Sequence, residues 1–369
     1  MITVNRRDFI TALRRASKVS PKTTHILPLQ TVQLRVDTES ITLKSTNLDL
    51  ALVEILAAQG QARETTVCIP IHQLLGTVLA LPQFLQEVPL EPHPEYVVVG
   101  TTKLPAGCDS SDFPVVPRPP EDAQANVELP ADFPNHLRFV RAAVSQDAIR
   151  GPLQGVVFDF KNGNIAASDG KRLHVAHLWA PAEVENVIIP PSAFDLELPT
   201  HLSIPKPAQD KVGTVFLYIS NGYIVSNTLE GTFPAYRALI PKEHRVAALV
   251  DRAELLSAID QSFPAVSDRN PACTLHFNEH VEIRAENKES GASYVNELDA
   301  VVDGPEILVH VNPHNLRGML ASMTGQSITL TFRKPGEAIY IVSDQADQWA
   351  LIMPLVFDSP PKAQTGAAR

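Results

Sequence analysis

The sequence predicts an α+β protein of three similar domains, on three observations. An amphipathic helix followed by a pair of alternating strands occurs three times along the 369 residues. The copies return at a period of about 120 residues, and the proline-rich stretch FPVVPRPPEDAQ falls between the first two.

The first copy opens with Asn5, a residue that can cap a helix whose apolar stripe is Phe9, Ile10, Leu13 and Ala16. Arg7, Arg14, Arg15 and Lys18 fall on its other faces. In the second copy the stripe is Phe133, Leu137, Val140 and Val144, with Arg138 and Arg141 elsewhere. In the third, Asp251 and Glu254 have capping-box spacing ahead of Leu255, Leu256 and Ile259. Each helix is followed by a hairpin-like run: LQTVQLRVDTESITLKS from Leu29, LQGVVFDFKNGNIAAS from Leu153 and ACTLHFNEHVEIRAE from Ala272. The first two align without gaps, since Leu29 and Leu153 are 124 positions apart and so are Ile41 and Ile165. A further recurrence sets a strand ending near proline before a second helix: CIPIHQLL at Cys68, VIIPPSAF at Val187 and VHVNPHNL at His310. The stretch from Ser192 to Pro207 is interrupted by prolines and has no clear amphipathic pattern, so the second of these helices should be shortened. These echoes place domains at 1–124, 125–245 and 246–357. The tail at 358–369 has too little apolar content to pack and is expected to be disordered.

Composition narrows the function. With 44% hydrophobic residues and 14 Phe the chain can bury a large core, while 31 Pro favour many short elements over long helical bundles. No apolar run is long enough to span a bilayer and the N-terminus lacks a signal-peptide apolar centre, so a cytoplasmic protein is expected. Cys68, Cys108 and Cys273 are odd in number and widely spaced, which encodes neither a disulfide framework nor a CxxC site. A net charge of −10 argues against a protein that grips phosphates tightly, but not against one that surrounds DNA loosely and is basic only on its inward face. SDGKRL is a poor phosphate loop: Gly163 lies seven positions before Gly170 instead of five, and Arg172 stands where Ser or Thr is needed. It reads as a turn with Asp169 and Gly170 at the tip. Despite 12 His, no GxSxG elbow, HExxH helix or paired-carboxylate signature supports a hydrolase.

Four segments, in order and spacing, resemble the beta subunit of bacterial DNA polymerase III, the sliding-clamp family. They are HILPLQTVQLRV with STNLDLALVE, QDAIRGPLQGVVFDF with ASDGKRLHVAHL, EGTFPAYRALIPKE, and ALIMPLVF near the C-terminus. The resemblance implies three clamp-type domains per chain, with helices on an inner face and antiparallel sheets outside, forming half of a ring that a head-to-tail homodimer completes around duplex DNA. It implies no catalysis, no cofactor and no metal. The partners it implies are a loader ATPase and DNA polymerases, which bind through short peptide motifs.

By family position, the peptide cleft takes Arg150 and Leu153, then Ser168, Gly170, Lys171, Arg172 and Leu173, from the second domain. Pro241 and Val246 come from the boundary, and Met353, Pro354 and Leu355 from the terminal strand. Leu, Met, Val and Pro form an apolar recess suited to a leucine or aromatic anchor, and methionine repacks easily for several partners. For DNA, the candidates are Arg14, Arg138 and Arg141 on the repeated helices, Gln146 and Asn312 at matching family positions, and Lys22 in the loop the family sets near DNA, though not on a matching basic residue. Solvated helix faces carry the same pattern of basic residues. Several positions depart from the family. Gly151 and Pro152 replace an aromatic pair, Ser192 replaces a basic residue, Val356 and Phe357 stand where a basic side chain is usual, and the expected interface strand GTTKLPAGC has no aromatic residue. These departures leave a second reading open, a clamp-fold peptide-binding adaptor that does not close stably on DNA.

Overall fold

The computed structural model describes residues 1–61, 63–206, 213–345 and 347–357, and the expected disordered tail lies outside them. The fold is α+β, with helices packed on antiparallel sheets. The chain forms two compact units, one from Met1–Ala131 with Val187–Glu230 and the other from Asp132–Asn186 with the residues from Gly231 onward. Residues of the second repeat therefore occur in both.

In the first unit, helix α1 (Arg6–Val19) starts where Asn5 Oδ1 accepts hydrogen bonds from the Arg7 and Asp8 amides at 3.0 and 3.2 Å. It buries Phe9, Ala12, Leu13, Ala16 and Val19. Arg15, on its flank, pairs with Glu54 at 2.6 Å and Glu197 at 2.5 Å. Burial pushes the Glu54 carboxyl above its usual range, against the opposing pull of Arg15. The hairpin of Thr31–Val36 and Ser40–Thr46 sets Leu34 opposite Leu43 and Val36 opposite Ile41. Strand Leu50–Gly60 joins the unit together. It pairs with Ser40–Thr46 through Ala51–Ala57, with Ile2–Val4 through Ala58–Gly60, and with Gly222–Ser226 through Leu50–Glu54. The resulting sheet has edges at Thr102–Pro105 and Ala125–Glu128. Helix α2 (Ile71–Ala80) follows strand Thr65–Pro70 as CIPIHQLL predicts. At the equivalent place after Val187–Ile189 only a 3₁₀ turn forms, Pro191–Phe194, so the shortened helix is present as expected.

In the second unit, helix α3 (Phe133–Arg141) is shorter than its apolar stripe. Val144 lies beyond its end, in a turn where the Val144 amide donates to the Arg141 carbonyl at 3.2 Å. The hairpin of Val156–Asp159 and Asn164–Ser168 pairs Phe158 with Ile165. The gapless sequence alignment would have paired Phe160 with Ile165, as Val36 pairs with Ile41. The register slips by two residues because Phe160–Asn162 coil into a 3₁₀ turn, closed by Gly163 at φ 70°. Helix α4 (Arg252–Ser262) is capped by Asp251, and helix α5 (Pro313–Ser322) by Asn312. Within this unit one sheet runs from Val156–Asp159 through Asn164–Ser168, Arg172–His177, Gln348–Ile352, Ile339–Ser343, Ser327–Phe332 and Val246–Asp251 to Ala300–Asp303. A four-stranded sheet contains Ala292–Leu298, Val281–Asn287, Cys273–Phe277 and Ile307–Val311, in that order.

His174 sits in the middle of the longer sheet, opposite Ala350 and fully buried. Its ring stacks on Phe139 with centroids 4.6 Å apart, and its Nδ1 donates to the Phe139 carbonyl at 2.7 Å. Burial holds its pKa down at about 4, so the ring is neutral. An exposed imidazole titrates near 6.5, so as the pH falls the unfolded chain takes up this proton first. Stability that is complete above about pH 6.5 is therefore lost as the pH drops toward 4. Denaturant unfolding at pH 7 and pH 4.5 should show a loss of about 2 to 3 kcal/mol attributable to this ring. His174→Asn, which keeps a donor but does not titrate, should flatten that part of the profile. An unchanged profile would show that His174 does not take up a proton differently in the two states.

Candidate functional site

One strand pairing creates the site. Arg172–Ala176, from the second repeat, lies antiparallel to Gln348–Ile352, the last strand, with Arg172 opposite Ile352 and Leu173 opposite Leu351. Consequently the turn before the first strand and the residues after the second emerge at the same end of the sheet, and the Met353 amide donates to the Lys171 carbonyl at 2.9 Å.

The turn Ser168–Arg172 is organised by Asp169. Its Oδ1 accepts from the Lys171 and Arg172 amides at 2.9 and 3.0 Å, and its Oδ2 accepts from Arg172 Nε at 3.0 Å. Ser168 Oγ donates to the Arg172 carbonyl at 2.8 Å and accepts from the Gly170 amide at 3.1 Å. Gly170 has φ 84°, and a Cβ there would collide with Arg150 Nη1. Arg150 sits in the 3₁₀ segment Ala148–Gln154, pairs with Asp147 at 3.4 Å, and donates from Nη1 to the Asp169 carbonyl at 2.8 Å. Three cations, Arg150, Lys171 and Arg172, thus lie at this end of the sheet with Met353, which is 46% exposed, while Leu153, in the same 3₁₀ segment as Arg150, is half-buried. Leu173 and Pro354 are buried, and Leu355 is half-buried where its amide donates to the His310 carbonyl at 2.7 Å.

The boundary residues reach this region by another anchor. Tyr236 donates from its hydroxyl to the buried Asp159 Oδ2 at 2.6 Å and accepts from Asn164 Nδ2 at 3.2 Å. Burial pushes its pKa up, so it remains a donor. Pro241 follows in a groove of ≈ 550 Å³ lined by Ala238–Glu243, Arg333, Glu337 and Ala338. Val356 Cγ2 lies 3.6 Å from where a Cβ on Gly336 would be, beside the groove-lining Glu337. Val246 is fully buried opposite Phe332 and lies in the core under this region. In the sequence Asp169 reads only as a turn residue, and Val356 and Phe357 only as departures from the family pattern. Val356, Phe357 and Ile149 are large apolar side chains left 73%, 53% and 93% exposed, respectively. The signal for these three is the presence of large apolar residues next to already selected positions.

The DNA candidates are dispersed. Arg14 and Lys22 are exposed in the first unit, on α1 and in the turn after it. In the second unit Arg138 is exposed and donates to Asn135 Oδ1 at 3.0 Å, Arg141 is half-buried and Gln146 is exposed. Asn312 Oδ1 accepts from the His314 amide at 2.9 Å, so part of its hydrogen-bonding capacity serves helix α5.

Residues 1–122 match the family model for the DNA polymerase III beta subunit, N-terminal domain, and residues 237–356 match the model for the C-terminal domain of the same subunit. The chain belongs to the DNA polymerase III beta-subunit family. It is 22% identical to the beta sliding clamp of Pseudomonas putida over 345 residues, covering 89% of this chain and 92% of that one. The sliding clamp of Bacillus subtilis superposes with a TM-score of 0.85 at 19% identity, over 97% of this chain and 99% of that one. A DnaN sliding clamp from Bartonella birtlesii, solved bound to griselimycin, gives 0.83 at 22% identity over 96% and 99%. As a beta-family member the chain is a non-catalytic processivity subunit of DNA replication.

Gly170 provides a test of the turn. Gly170→Ala should destabilise the protein by about 1 kcal/mol, since alanine is strained at this φ, and should displace Arg150 from the Asp169 carbonyl. Thermal unfolding checks the first effect. Calorimetric titration with a polymerase-derived peptide checks the second, with weaker binding expected. Unchanged affinity would mean that the Arg150 contact does not shape the site.

Proposed function

We propose that two copies of this chain close head to tail into a ring around duplex DNA, and that the Met353–Leu355 region holds polymerases and the clamp loader through short peptide motifs. The observation that carries the peptide reading is the convergence of the Ser168–Leu173 turn, Arg150 and Met353–Leu355 at one sheet end. Exposed Met353 and half-buried Leu153 and Leu355 supply an apolar seat, and the bordering cations suit a peptide with acidic or terminal carboxylate groups. Pro241, which lines the neighbouring groove, extends this proposed cleft, whereas fully buried Val246 supports it from the core and is not the contact residue that the family position implies.

The ring reading draws on two free sheet edges. Strand Thr102–Pro105 ends the sheet of the first unit, and Ala292–Leu298 ends the four-stranded sheet of the second. An edge of one copy pairing with the other edge of its partner is a heterologous contact, and two such contacts close a dimer. The first edge lacks an aromatic residue of its own. The neighbouring strand supplies Tyr96, stacked on His93 with centroids 4.2 Å apart and covered by Lys103 Nζ at 3.6 Å from its ring. Three clamp domains divided near residues 124 and 245 would line the opening. Arg14, Lys22, Arg138, Arg141, Gln146 and Asn312 would make weak phosphate contacts compatible with sliding. Among the described residues no helix is long and apolar enough to cross a membrane. A replication factor acting on chromosomal DNA would work in the cytoplasm.

Replacing Met353, Pro354 and Leu355 together with alanine should reduce affinity for a polymerase-derived peptide by ~100-fold or more, measured by calorimetry. Sedimentation should still give a dimer. Full peptide affinity in that variant would place the seat elsewhere, and a dimer absent from the unaltered protein would remove the ring.

A further inference from the structure

Two of the three cysteines, 40 positions apart in the chain, face each other across an antiparallel bridge in the first unit. Cys68, in strand Thr65–Pro70, is fully buried, and Cys108, which follows the edge strand Thr102–Pro105, is half-buried. The Gly107 amide donates to the Cys68 carbonyl at 2.9 Å, fixing the two segments side by side. Thr31 Oγ1 lies 3.8 Å from Cys108 Sγ. Both cysteines pack in one apolar cluster with Phe113 and Val116, which belong to the segment that follows. Directly opposed antiparallel residues have Cα atoms about 4.5–5.5 Å apart, inside the span of about 4.4–6.8 Å that disulfides bridge.

We propose that Cys68 and Cys108 form a reversible thiol–disulfide pair, oxidised by hydroperoxides. The half-buried Cys108 meets the oxidant first. Its thiolate attacks one peroxide oxygen, the O–O bond breaks, and Cys108 becomes a sulfenic acid as hydroxide leaves and takes up a proton to give water. Cys68 sulfur then attacks Cys108 sulfur. The S–S bond forms, the S–O bond breaks, and the hydroxyl leaves as a second water with the Cys68 proton. Overall two thiols and one hydrogen peroxide give one disulfide and two waters. Burial and the neighbouring Cys108 push the Cys68 thiol up to about 12, which disfavours it as the group that first attacks peroxide; its place opposite Cys108 across the bridge makes it the resolving partner, its proton leaving with the hydroxyl as the S–S bond forms. Cys273 sits apart in its own strand, buried, with its thiol also pushed up to about 12 by burial, and stays reduced. In proteins of reducing compartments such a bond is transient and redox-responsive. Here it would tie the buried strand Thr65–Pro70 to the segment joining the edge strand Thr102–Pro105 to the Phe113–Val116 strap, stiffening that edge in the oxidised form.

The test is brief treatment of the purified full-length protein with hydrogen peroxide, followed by alkylation, proteolysis and mass spectrometry. The expected result is one intramolecular Cys68–Cys108 cross-linked peptide lighter by two hydrogens, alkylated Cys273, a Tm raised by ~5 °C, and full reversal by dithiothreitol. The Cys108→Ser variant, altered at the less buried of the two positions, should lose both the cross-link and the Tm rise. A Cys108 sulfinic acid beside an unmodified Cys68, a disulfide between chains, or no loss of either thiol would each overturn the proposal.

Discussion

The antiparallel pairing of Arg172–Ala176 with Gln348–Ile352 is the constraint on which the candidate site depends. It joins a strand of the second repeat to the last strand of the chain, so residues about 180 positions apart share one sheet end. Strand pairing fixes relative position to within a residue, because a slip of one would turn every side chain to the opposite face. Fully buried His174 and Ala350 lie opposite each other at the centre of that pairing, and turning the Arg172–His177 strand over would take a buried polar ring away from the Phe139 carbonyl. The core chemistry of the sheet thereby holds the turn at Lys171 against Met353.

Periodicity made much of the fold legible. The caps at Asn5 and Asp251 and the hairpins that follow each opening helix come from side-chain acceptors and alternating apolar residues, both local properties. The shortened helix after Pro190 was equally readable, since prolines withhold the donors a helix needs. The hairpin register of the second copy was not. The identical spacing of Leu29 with Ile41 and of Leu153 with Ile165 conceals a 3₁₀ turn whose only local sign is Gly163. How residues 125–245 would distribute between compact units was also invisible, since it depends on contacts remote in sequence.

The candidate site was legible mainly through family resemblance. Nothing in the periodicity of Arg150, Pro241 or Met353 says that they belong together, and the physical links run through Asp169, legible only as a turn residue, and Tyr236, which has no distinctive sequence pattern. Cys68 and Cys108 illustrate the same gap between chain distance and spatial distance. Their spacing suggests isolated thiols, and only the bridge between strand Thr65–Pro70 and the segment after Pro105 sets them face to face.

A chain of net charge −10 that works on DNA needs a binding mode in which topology, rather than summed phosphate contacts, provides persistence. Edge strands such as Thr102–Pro105 and Ala292–Leu298, able to pair between copies, and a scatter of exposed basic side chains on helices suit such a mode. The most direct measurement is retention of the protein on nicked circular plasmid after treatment with a clamp loader and ATP, compared with the same plasmid linearised by a restriction enzyme. The account predicts co-elution with the circle and rapid loss on linearisation, at a salt concentration that suppresses simple electrostatic binding. Equal retention on both forms, or none on either, would contradict it.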